Sequence, residues 1–183
     1  MLFRSLANDT DADGDTLSIL SAVVSGSGTG TVTTDGSTIT FTPAADYNGT
    51  ATVFYFASDN NDGADSASVT ITITEVNDRP VAKADSGTIA EDYGASTFRV
   101  LANDTDVEGD SLIVSLPSIT SGDTTGTVTS NGTTVTYTPS ADFYGTTVIS
   151  YTITDDGTTN GSDDFLNATG TLTVTVTDVN DVP

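Results

Sequence analysis

The sequence contains no cysteine, no histidine and no tryptophan, and only four lysine and arginine residues among 183. Without cysteine and histidine there are no disulfide bridges, thiolate nucleophiles, imidazole bases or usual zinc and copper ligands, which excludes most common enzyme chemistry. Against the four cations stand 26 aspartate and glutamate residues, so the net charge is −22. Because phosphate binding needs clustered cations, we expect no nucleic acid among the partners.

Long apolar runs are also missing. No stretch approaches the roughly 18 consecutive apolar residues of a membrane-spanning helix, so we expect no membrane insertion. Hydrophobic residues nevertheless make up 36% of the chain. That content is sufficient for a buried core in one large domain or in two ordinary ones.

An internal repeat organises the chain. The motif Leu-Ala-Asn-Asp-Thr-Asp at Leu6–Asp11 returns 95 residues later at Leu101–Asp106. We interpret residues 1–79 as one copy that lacks its first strand, and residues 80–183 as a complete copy with an insertion near Thr158–Asn167.

The joint between the copies has its own signature. Asn77-Asp78-Arg79-Pro80 is matched at the end of the chain by Asn180-Asp181-Val182-Pro183. We therefore expect the chain to be a piece of a longer array, with neighbouring repeats of the same polypeptide as its first partners.

Strand signals dominate both copies. Runs rich in Thr, Val, Ile, Phe and Tyr alternate apolar and polar residues, and clusters of Gly, Asn and Asp separate them. Seven such runs in about 100 residues predict an immunoglobulin-like sandwich. The expected fold class is all-β, with two tandem Ig-like Greek-key β-sandwiches in an extended array. The predicted strands of the second copy lie near Gly87–Ala90, Ser96–Leu101, Ser111–Leu116, Gly126–Ser130, Thr133–Thr138, Thr146–Ile153 and Ala168–Thr177.

One hairpin is predicted in each copy. Asn131-Gly132 follows the run Gly126–Ser130, and Asp35-Gly36 lies at the matching place in the first copy. Both dipeptides tolerate positive φ and suit a two-residue type I′ turn.

The acidic residues cluster in two matching loops, Asp9–Asp15 and Asp104–Asp110. Ca²⁺ takes 6–8 oxygen ligands, which short Asp and Asn side chains on a loop can supply. Both segments resemble the first half of an EF-hand loop. The twelfth position, which needs a bidentate Glu, is however Leu20 in one copy and Ser115 in the other, and no flanking helices are predicted. Asx turns are the alternative interpretation of one such loop, whereas several clusters in register favour cation binding.

Two segments resemble the end of a cadherin repeat: Phe54–Gly63 leading to Ala67–Pro80, and Tyr151–Gly157 leading to Thr177–Pro183. With the Leu-Ala-Asn-Asp-Thr-Asp start and the 95-residue period, nearly the whole chain is similar to the bacterial cadherin-like tandem repeats of large surface adhesins. The resemblance implies a non-enzymatic adhesive module, an extracellular or cell-surface location, and Ca²⁺ bound at the joints between domains.

The resemblance also implies which residues bind Ca²⁺. For the internal joint these are Asp46, Glu75, Asn77, Asp78, Asp104, Asp106, Glu108 and Asp155. For an upstream joint they are Asp11, Asp13 and Asp59, and for a downstream joint Glu91, Asp178, Asn180 and Asp181. Glu75 and Arg79 depart from the usual cadherin linker, so we expect the internal joint to bind fewer ions or bind them less tightly than a complete one. It should still fill before the outer clusters.

A carbohydrate-binding module within an extracellular protein is the main alternative function, and a cell-surface or matrix polysaccharide or protein is a candidate partner. The rings that could stack on sugars are Tyr47, Tyr93, Phe143, Tyr144 and Phe165. We expect each of them to pack in the core or anchor a loop. Adjacent carboxylates such as Asp155-Asp156 are expected to be solvated turns, not the acid and base of a glycosidase.

Overall fold

The computed structural model describes residues 1–3 and 5–180, and strands dominate this part of the chain, as predicted. One turn of 3₁₀ helix covers Ser5–Ala7. Among the described residues, no helix combines the length and the apolar character that a membrane crossing requires. The strands in chain order are β1 Leu2–Phe3, β2 Ser18–Ser25, β3 Gly30–Thr34, β4 Ile39–Pro43, β5 Gly49–Ser58, β6 Ala64–Ile73, β7 Asp85–Ala90, β8 Ser96–Phe98, β9 Ile113–Ser121, β10 Thr127–Ser130, β11 Val135–Thr138, β12 Gly145–Thr154, β13 Thr158–Thr159, β14 Ser162–Asp163 and β15 Asn167–Thr177.

Two compact units divide the chain. Unit 1 is Met1–Glu75, and unit 2 begins at Val76. The repeat in the sequence puts the boundary after residue 79, so the structure assigns Asn77 and Asp78 to the second unit. Each unit has its own hydrophobic core.

Unit 1 consists of two three-stranded sheets, β1-β4-β3 and β2-β5-β6. Alternation along β5 buries Ala51, Val53 and Tyr55 while the intervening residues face outward. The three buried residues of β5 pack against Ile39 and Phe41 of β4, which are fully buried. The two sheets thus enclose one core, as a sandwich requires.

Unit 2 repeats this plan with one more strand in its sandwich and a separate two-stranded hairpin. Its sheets are β10-β11-β8 and β7-β15-β12-β9, and β13 pairs with β14 in a separate hairpin. Tyr137, Ile149 and Leu172 are among the side chains that fill the core. The prediction of Ig-like sandwiches is therefore confirmed.

The extra strand is β7. It pairs in parallel with the last strand, β15, from Asp85 opposite Leu172 to Ala90 opposite Thr177. Within the described residues of unit 1, β6 lies at the sheet edge and pairs with β5 alone. The described residues of unit 1 thus include no strand equivalent to β7.

The hairpin prediction needs correction. Ser130 pairs with Val135, so the β10–β11 loop has four residues, not two. Asn131 Oδ1 accepts hydrogen bonds from the Thr133 and Thr134 amides at 3.0 and 2.9 Å. Of the dipeptide, Gly132 has positive φ, whereas a type I′ turn needs it at both central residues. The loop is therefore wider than a two-residue turn, and the hydrogen bonds that the Asn131 side chain accepts from the backbone hold it together.

A second correction concerns β9, which was expected to end before Pro117. The strand continues through Pro117 to Ser121. Leu116 has φ +48, and the pairing with β12 is irregular at this point. Because β9 is an edge strand with a bulge, it can contain a residue without an N–H.

The aromatic rings divide into two groups. Tyr47 and Phe143 pack against their cores as expected. Tyr93, Tyr144 and Phe165 are exposed, so the expectation of core packing is wrong for these three rings.

Candidate metal centre

The loop after β8 gathers three carboxylates. Asp106 Oδ1 accepts hydrogen bonds from the amides of Glu108 and Asp110 at 3.0 and 3.3 Å, and Gly109 turns the chain with φ +83. As a result, one carboxylate oxygen from each of Asp106, Glu108 and Asp110 lies within 4.8 Å of the others. The Asp78 amide also donates to Glu108 Oε2 at 3.2 Å, which brings the start of unit 2 to the same group.

Asn77 is held beside these acids by the insertion that distinguishes the second copy. Its amide donates to Thr159 Oγ1 at 2.9 Å, and its side-chain Nδ2 donates to the Asp164 carbonyl at 2.7 Å and to Asp155 Oδ1 at 3.1 Å. Both Nδ2 hydrogens are therefore used. The side chain is 5% exposed, and its Oδ1 is left as the free acceptor.

Gly157 leaves room for this arrangement. A Cβ at this position would collide with Asn77 Oδ1 and with Asp110 Oδ2. The two oxygens therefore approach the same point of the backbone, which joins Asn77 to the carboxylates of the loop.

Asp155, 3% exposed, lies at the end of β12. Its Oδ1 accepts hydrogen bonds from the Leu166 amide at 2.9 Å and the Gly157 amide at 3.3 Å, besides Asn77 Nδ2. Three donors thus hold Asp155 Oδ1 in place, and the orientation of Asp155 Oδ2 is fixed with it.

Asn103 and Asp104 repeat the pattern. Asn103 Nδ2 donates to the Ala84 carbonyl at 3.4 Å, and Asp104 Oδ1 accepts from the Lys83 amide at 2.7 Å. Each side chain uses one polar atom to bind the segment that leads into β7.

The buried side-chain oxygens of unit 2 that have no hydrogen-bond donor among the described residues include five amide and carboxylate oxygens: Asn77 Oδ1, Asn103 Oδ1, Asp104 Oδ2, Asp106 Oδ2 and Asp155 Oδ2. In each of these side chains the other polar atom is hydrogen-bonded, so the orientation is set. An unsatisfied buried acceptor costs about 1–3 kcal/mol. Each of these oxygens could serve as a cation ligand, and their chemistry fits Ca²⁺, which prefers carboxylate and amide oxygens.

The electrostatics agree with this interpretation. Burial raises the pKa of Glu108, and the neighbouring charges of Asp78 and Asp106 raise it further. Burial likewise raises the pKa of Asp104, with a contribution from the Asp85 charge. The ionised form of both carboxylates is therefore disfavoured, and a divalent cation beside them would offset this.

The structure thus brings together Asn77, Asp106, Glu108 and Asp155, with the Asp78 backbone bonded to Glu108 and with Asp104 on the same loop. The ligand set implied by the resemblance leaves out Asn103 and Asp110, although Asp110 belongs to the acidic loop Asp104–Asp110. Both residues lie in repeated segments, where Asn8 and Asp15 are their counterparts. Recurrence of these two positions was the signal that could have found them. Arg79, which departs from the usual cadherin linker, donates from Nη1 to the Asn167 carbonyl at 2.9 Å.

In unit 1 the corresponding residues line a cavity of about 420 Å³, which includes Asp9, Asp11 and Asp59. Asp11 Oδ1 accepts hydrogen bonds from the Asp13 and Asp15 amides at 2.8 and 3.1 Å, as Asp106 does in unit 2. Asp13 itself is exposed.

Asp9 differs from its counterpart Asp104, since its Oδ2 accepts a hydrogen bond from the Tyr55 hydroxyl at 2.8 Å. Burial, together with this bond and the Asp9 charge, raises the pKa of Tyr55 to about 12. One acceptor of the unit 1 cluster is therefore already occupied.

The remaining candidates lie at other strand ends. Asp46, exposed, precedes β5, and Gly49 of β5 pairs with Ile73, so Asp46 lies near the end of unit 1 that carries Glu75. In unit 2, Glu91 is buried and its Oε1 accepts from the Val179 amide at 2.5 Å, next to the exposed Asp178 and Asn180. Asp181 lies outside the described residues.

Comparisons with known proteins match both units. The sequence pattern of the bacterial Ig domain matches residues 77–177, and that of the cadherin-like domain matches residues 4–74. No curated protein matches the chain.

Among solved structures, the chain resembles human protocadherin-24 EC1-2 with a TM-score of 0.60 and 20% identity, over 92% of this chain and 85% of that one. It resembles mouse cadherin-23 EC22-24 with a TM-score of 0.52 and 23% identity, over 89% of this chain and 52% of that one. An endo-fucoidan hydrolase from glycoside hydrolase family 107 matches at a TM-score of 0.38 and 18% identity, and the chain covers 24% of its length. The first two similarities support the fold alone, and the third is too weak to support any conclusion about this chain.

Proposed function

Because the chain belongs to the bacterial Ig domain family, we propose that it is a calcium-binding structural module of a large bacterial surface or secreted adhesin. Its location is extracellular or on the cell surface, and Ca²⁺ stiffens the connection between successive repeats. Both matched families consist of structural domains and not of enzymes.

The observation that carries the proposal is the set of five buried oxygens without a donor. The cluster offers oxygen ligands alone, which disfavours zinc and copper and suits a hard cation. Ca²⁺ accepts 6–8 oxygens in flexible geometry, whereas Mg²⁺ demands a tight octahedron and keeps several waters. A loop with several carboxylates and two asparagine amides therefore suits Ca²⁺ better.

The position of the cluster explains how it would act. Asn77 and Asp78 follow Glu75, the last residue of unit 1, almost directly in the sequence. Without cation, the acids repel one another and the connection gains freedom. A Ca²⁺ ion that binds only the ordered state adds about 2.7 kcal/mol when its concentration is 100-fold above the Kd. A Kd of about 10⁻⁴–10⁻³ M would suit an extracellular module.

The other acidic clusters are proposed as half-sites that neighbouring repeats complete. Asp11, Asp13 and Asp59 belong to an upstream site, and Glu91, Asp178, Asn180 and Asp181 to a downstream one. Asp46 and Glu75 would add ligands from unit 1 to the internal joint. The half-sites should bind Ca²⁺ more weakly than the cluster of unit 2.

Calcium titration tests the proposal, with Asp106→Asn as the informative variant. Asparagine retains the Oδ1 that holds the loop but replaces the buried Oδ2 with an N–H donor. We expect Ca²⁺ to raise the unfolding midpoint of the parent chain, and the tightest site to weaken at least tenfold in Asp106→Asn by isothermal calorimetry.

Asp35→Asn is the matched control, because Asp35 Oδ1 accepts two backbone amides in the same way but lies on a loop where unit 2 already has an asparagine. Equal calcium affinity in the two variants would refute the site.

Small-angle scattering tests the effect on the connection. We expect an extended, rod-like particle in calcium and a more flexible, more protease-sensitive chain in EDTA, since repulsion between the acids returns. Identical scattering profiles in the two buffers would contradict the stiffening role and leave calcium binding itself untouched.

A further inference from the structure

Two equivalent pairs of strands are connected differently in the two units. In unit 1, β5 and β6 are joined by residues 59–63. In unit 2 the equivalent strands, β12 and β15, are joined by residues 155–166, which contain the β13–β14 hairpin. The Asp155 amide donates to the Leu166 carbonyl at 3.1 Å, so the two ends of the longer connection are bonded to each other. The hairpin therefore stands on a closed base beside the acidic cluster.

A single hydroxyl joins this hairpin to the backbone of Asn77. Thr159 Oγ1 donates its only hydrogen to Asp164 Oδ2 at 2.7 Å and accepts the Asn77 amide at 2.9 Å. The bond to Asp164 is charge-assisted and therefore strong. Asp164 is fixed in turn, because its own amide donates to the Gly157 carbonyl at 3.0 Å. The oxygen lone pair that faces Asn77 thus has a defined direction.

The same connection selects one orientation of the Asn77 side chain. Its Nδ2 donates to the Asp164 carbonyl at 2.7 Å and to Asp155 Oδ1 at 3.1 Å. A half-turn of the amide group would place Oδ1 against these two acceptors and break both bonds. Oδ1 is therefore directed to the other side, where Gly157 has no side chain and Asp110 Oδ2 approaches.

Groups that lie behind a metal ligand orient it, and their removal typically lowers metal affinity about 10–100-fold. Thr159 has this relation to Asn77. Its hydroxyl is already bonded on both sides, so it acts on the cluster through Asn77 and does not need to contact an ion.

We propose that Thr159 is a positioning residue for the calcium site of unit 2, and that the β13–β14 hairpin sets the affinity of this site. The inference rests on the proposed function, because it takes Asn77 Oδ1 as a calcium ligand. The hairpin holds the Asn77 backbone through Thr159 and the Asn77 amide group through the Asp164 carbonyl before an ion arrives. The described connection of unit 1, residues 59–63, contains no such strand pair.

Thr159→Val is the test, because valine has nearly the shape of threonine and lacks the hydroxyl. We expect the tightest calcium site to weaken about tenfold by isothermal calorimetry. Thr159→Ser restores the hydroxyl and should return the affinity to within twofold of the parent chain. Ser162→Ala is the matched control, since Ser162 pairs with Thr159 in the same hairpin but is exposed. Its affinity should also stay within twofold.

A second measurement examines the same contact without calcium. In EDTA, hydrogen exchange followed by NMR should show a protected Asn77 backbone amide in the parent chain, in Thr159→Ser and in Ser162→Ala. In Thr159→Val this amide should exchange at least tenfold faster, because its acceptor is gone. Unchanged protection in Thr159→Val would show that the hydroxyl does not hold Asn77, and would overturn the proposal.

The calcium arm separates the two proposals. Failure of the parent chain to bind calcium would refute the proposed function, and the role of Thr159 toward calcium with it. Calcium binding by the parent with equal affinity in Thr159→Val would refute the positioning role alone. An equal loss of affinity in Ser162→Ala, or no recovery in Thr159→Ser, would also overturn it, because the cause would then be a general weakening of the hairpin.

Discussion

At the scale of single residues, Asp123 is the most heavily hydrogen-bonded carboxylate outside the metal cluster. It is 3% exposed and accepts hydrogen bonds from the Ser140 amide at 2.7 Å, the Gly126 amide at 2.8 Å and the Tyr137 hydroxyl at 2.9 Å. Burial alone would raise the pKa of Asp123, but the donors of Ser140, Tyr137 and Gly126 outweigh it and lower the pKa to about 2. This carboxylate therefore ties the loop before β10 to β11.

We expect Asp123→Asn to destabilise unit 2 by about 2–3 kcal/mol, because the new amide group would face donors. Denaturant unfolding measures the loss, with Asp163→Asn, an exposed position, as control. In the parent chain this contribution should be present above the unfolded pKa near 4 and disappear as the pH falls through about 2. Equal stability of the two variants would refute the anchoring role.

Single-residue roles were predictable where a motif repeats. The recurrence of the acidic loop identified Asp104, Asp106 and Glu108 as candidates. Asp123 had no such signal, because one aspartate in a Gly- and Thr-rich loop looks like an ordinary turn. Its role depends on Tyr137 and Ser140, which approach it through tertiary packing.

At the scale of elements, the four-residue hairpin loop is built in the same way in both units. Asp35 Oδ1 accepts hydrogen bonds from the Ser37 and Thr38 amides at 2.9 and 2.7 Å, as Asn131 Oδ1 does from the matching amides. A side-chain carbonyl or carboxylate oxygen is what this loop requires. Asparagine and aspartate should therefore be interchangeable there.

We expect Asn131→Ala to destabilise unit 2 by about 1 kcal/mol, since two backbone amides lose their acceptor. Asn131→Asp retains the acceptor and should leave the unfolding midpoint nearly unchanged. Thermal unfolding of the two variants beside the parent checks this. The result that would contradict it is an equal loss of stability in both.

The insertion Thr158–Asn167 shows where element prediction fails. Its presence could be read from the lengthened spacing of the second copy. Its role could not, because the β13–β14 hairpin acts through Thr159 and the Asp164 carbonyl, which hold Asn77, about 80 residues earlier in the chain. Hydrogen bonds between residues so far apart in the chain leave no pattern in the local sequence.

At the scale of the whole molecule, the period-two alternation and the repeat were sufficient to predict the all-β class and the two sandwiches, because each strand pattern agrees with its neighbours. Strand ends were less accurate. β9 passes through Pro117 on an edge bulge, and the bulge depends on the partner strand β12.

The dense negative charge predicts an unusual pH dependence of the calcium-free protein. The pKa values of Asp104 and Glu108 are raised in the folded state. For a carboxyl with a raised pKa, stability is lost as the pH rises through the folded value. We therefore expect the unfolding midpoint in EDTA to increase when the pH is lowered from 7 to about 5.

Saturating calcium should abolish or reverse this trend, because protons then compete with the ion for the same oxygens. Differential scanning calorimetry across this pH range in both buffers makes the comparison. A midpoint in EDTA that falls steadily on acidification would contradict the predicted direction.

The parallel pairing of β7 with β15 has a mechanical consequence. These are the first and last strands of unit 2, so tension applied to its two ends would slide them along each other and load all their shared hydrogen bonds at once. In unit 1 the last strand, β6, has among the described residues only an antiparallel neighbour, β5. Under the same pull unit 2 should hold longer, and unit 1 should be the first to extend.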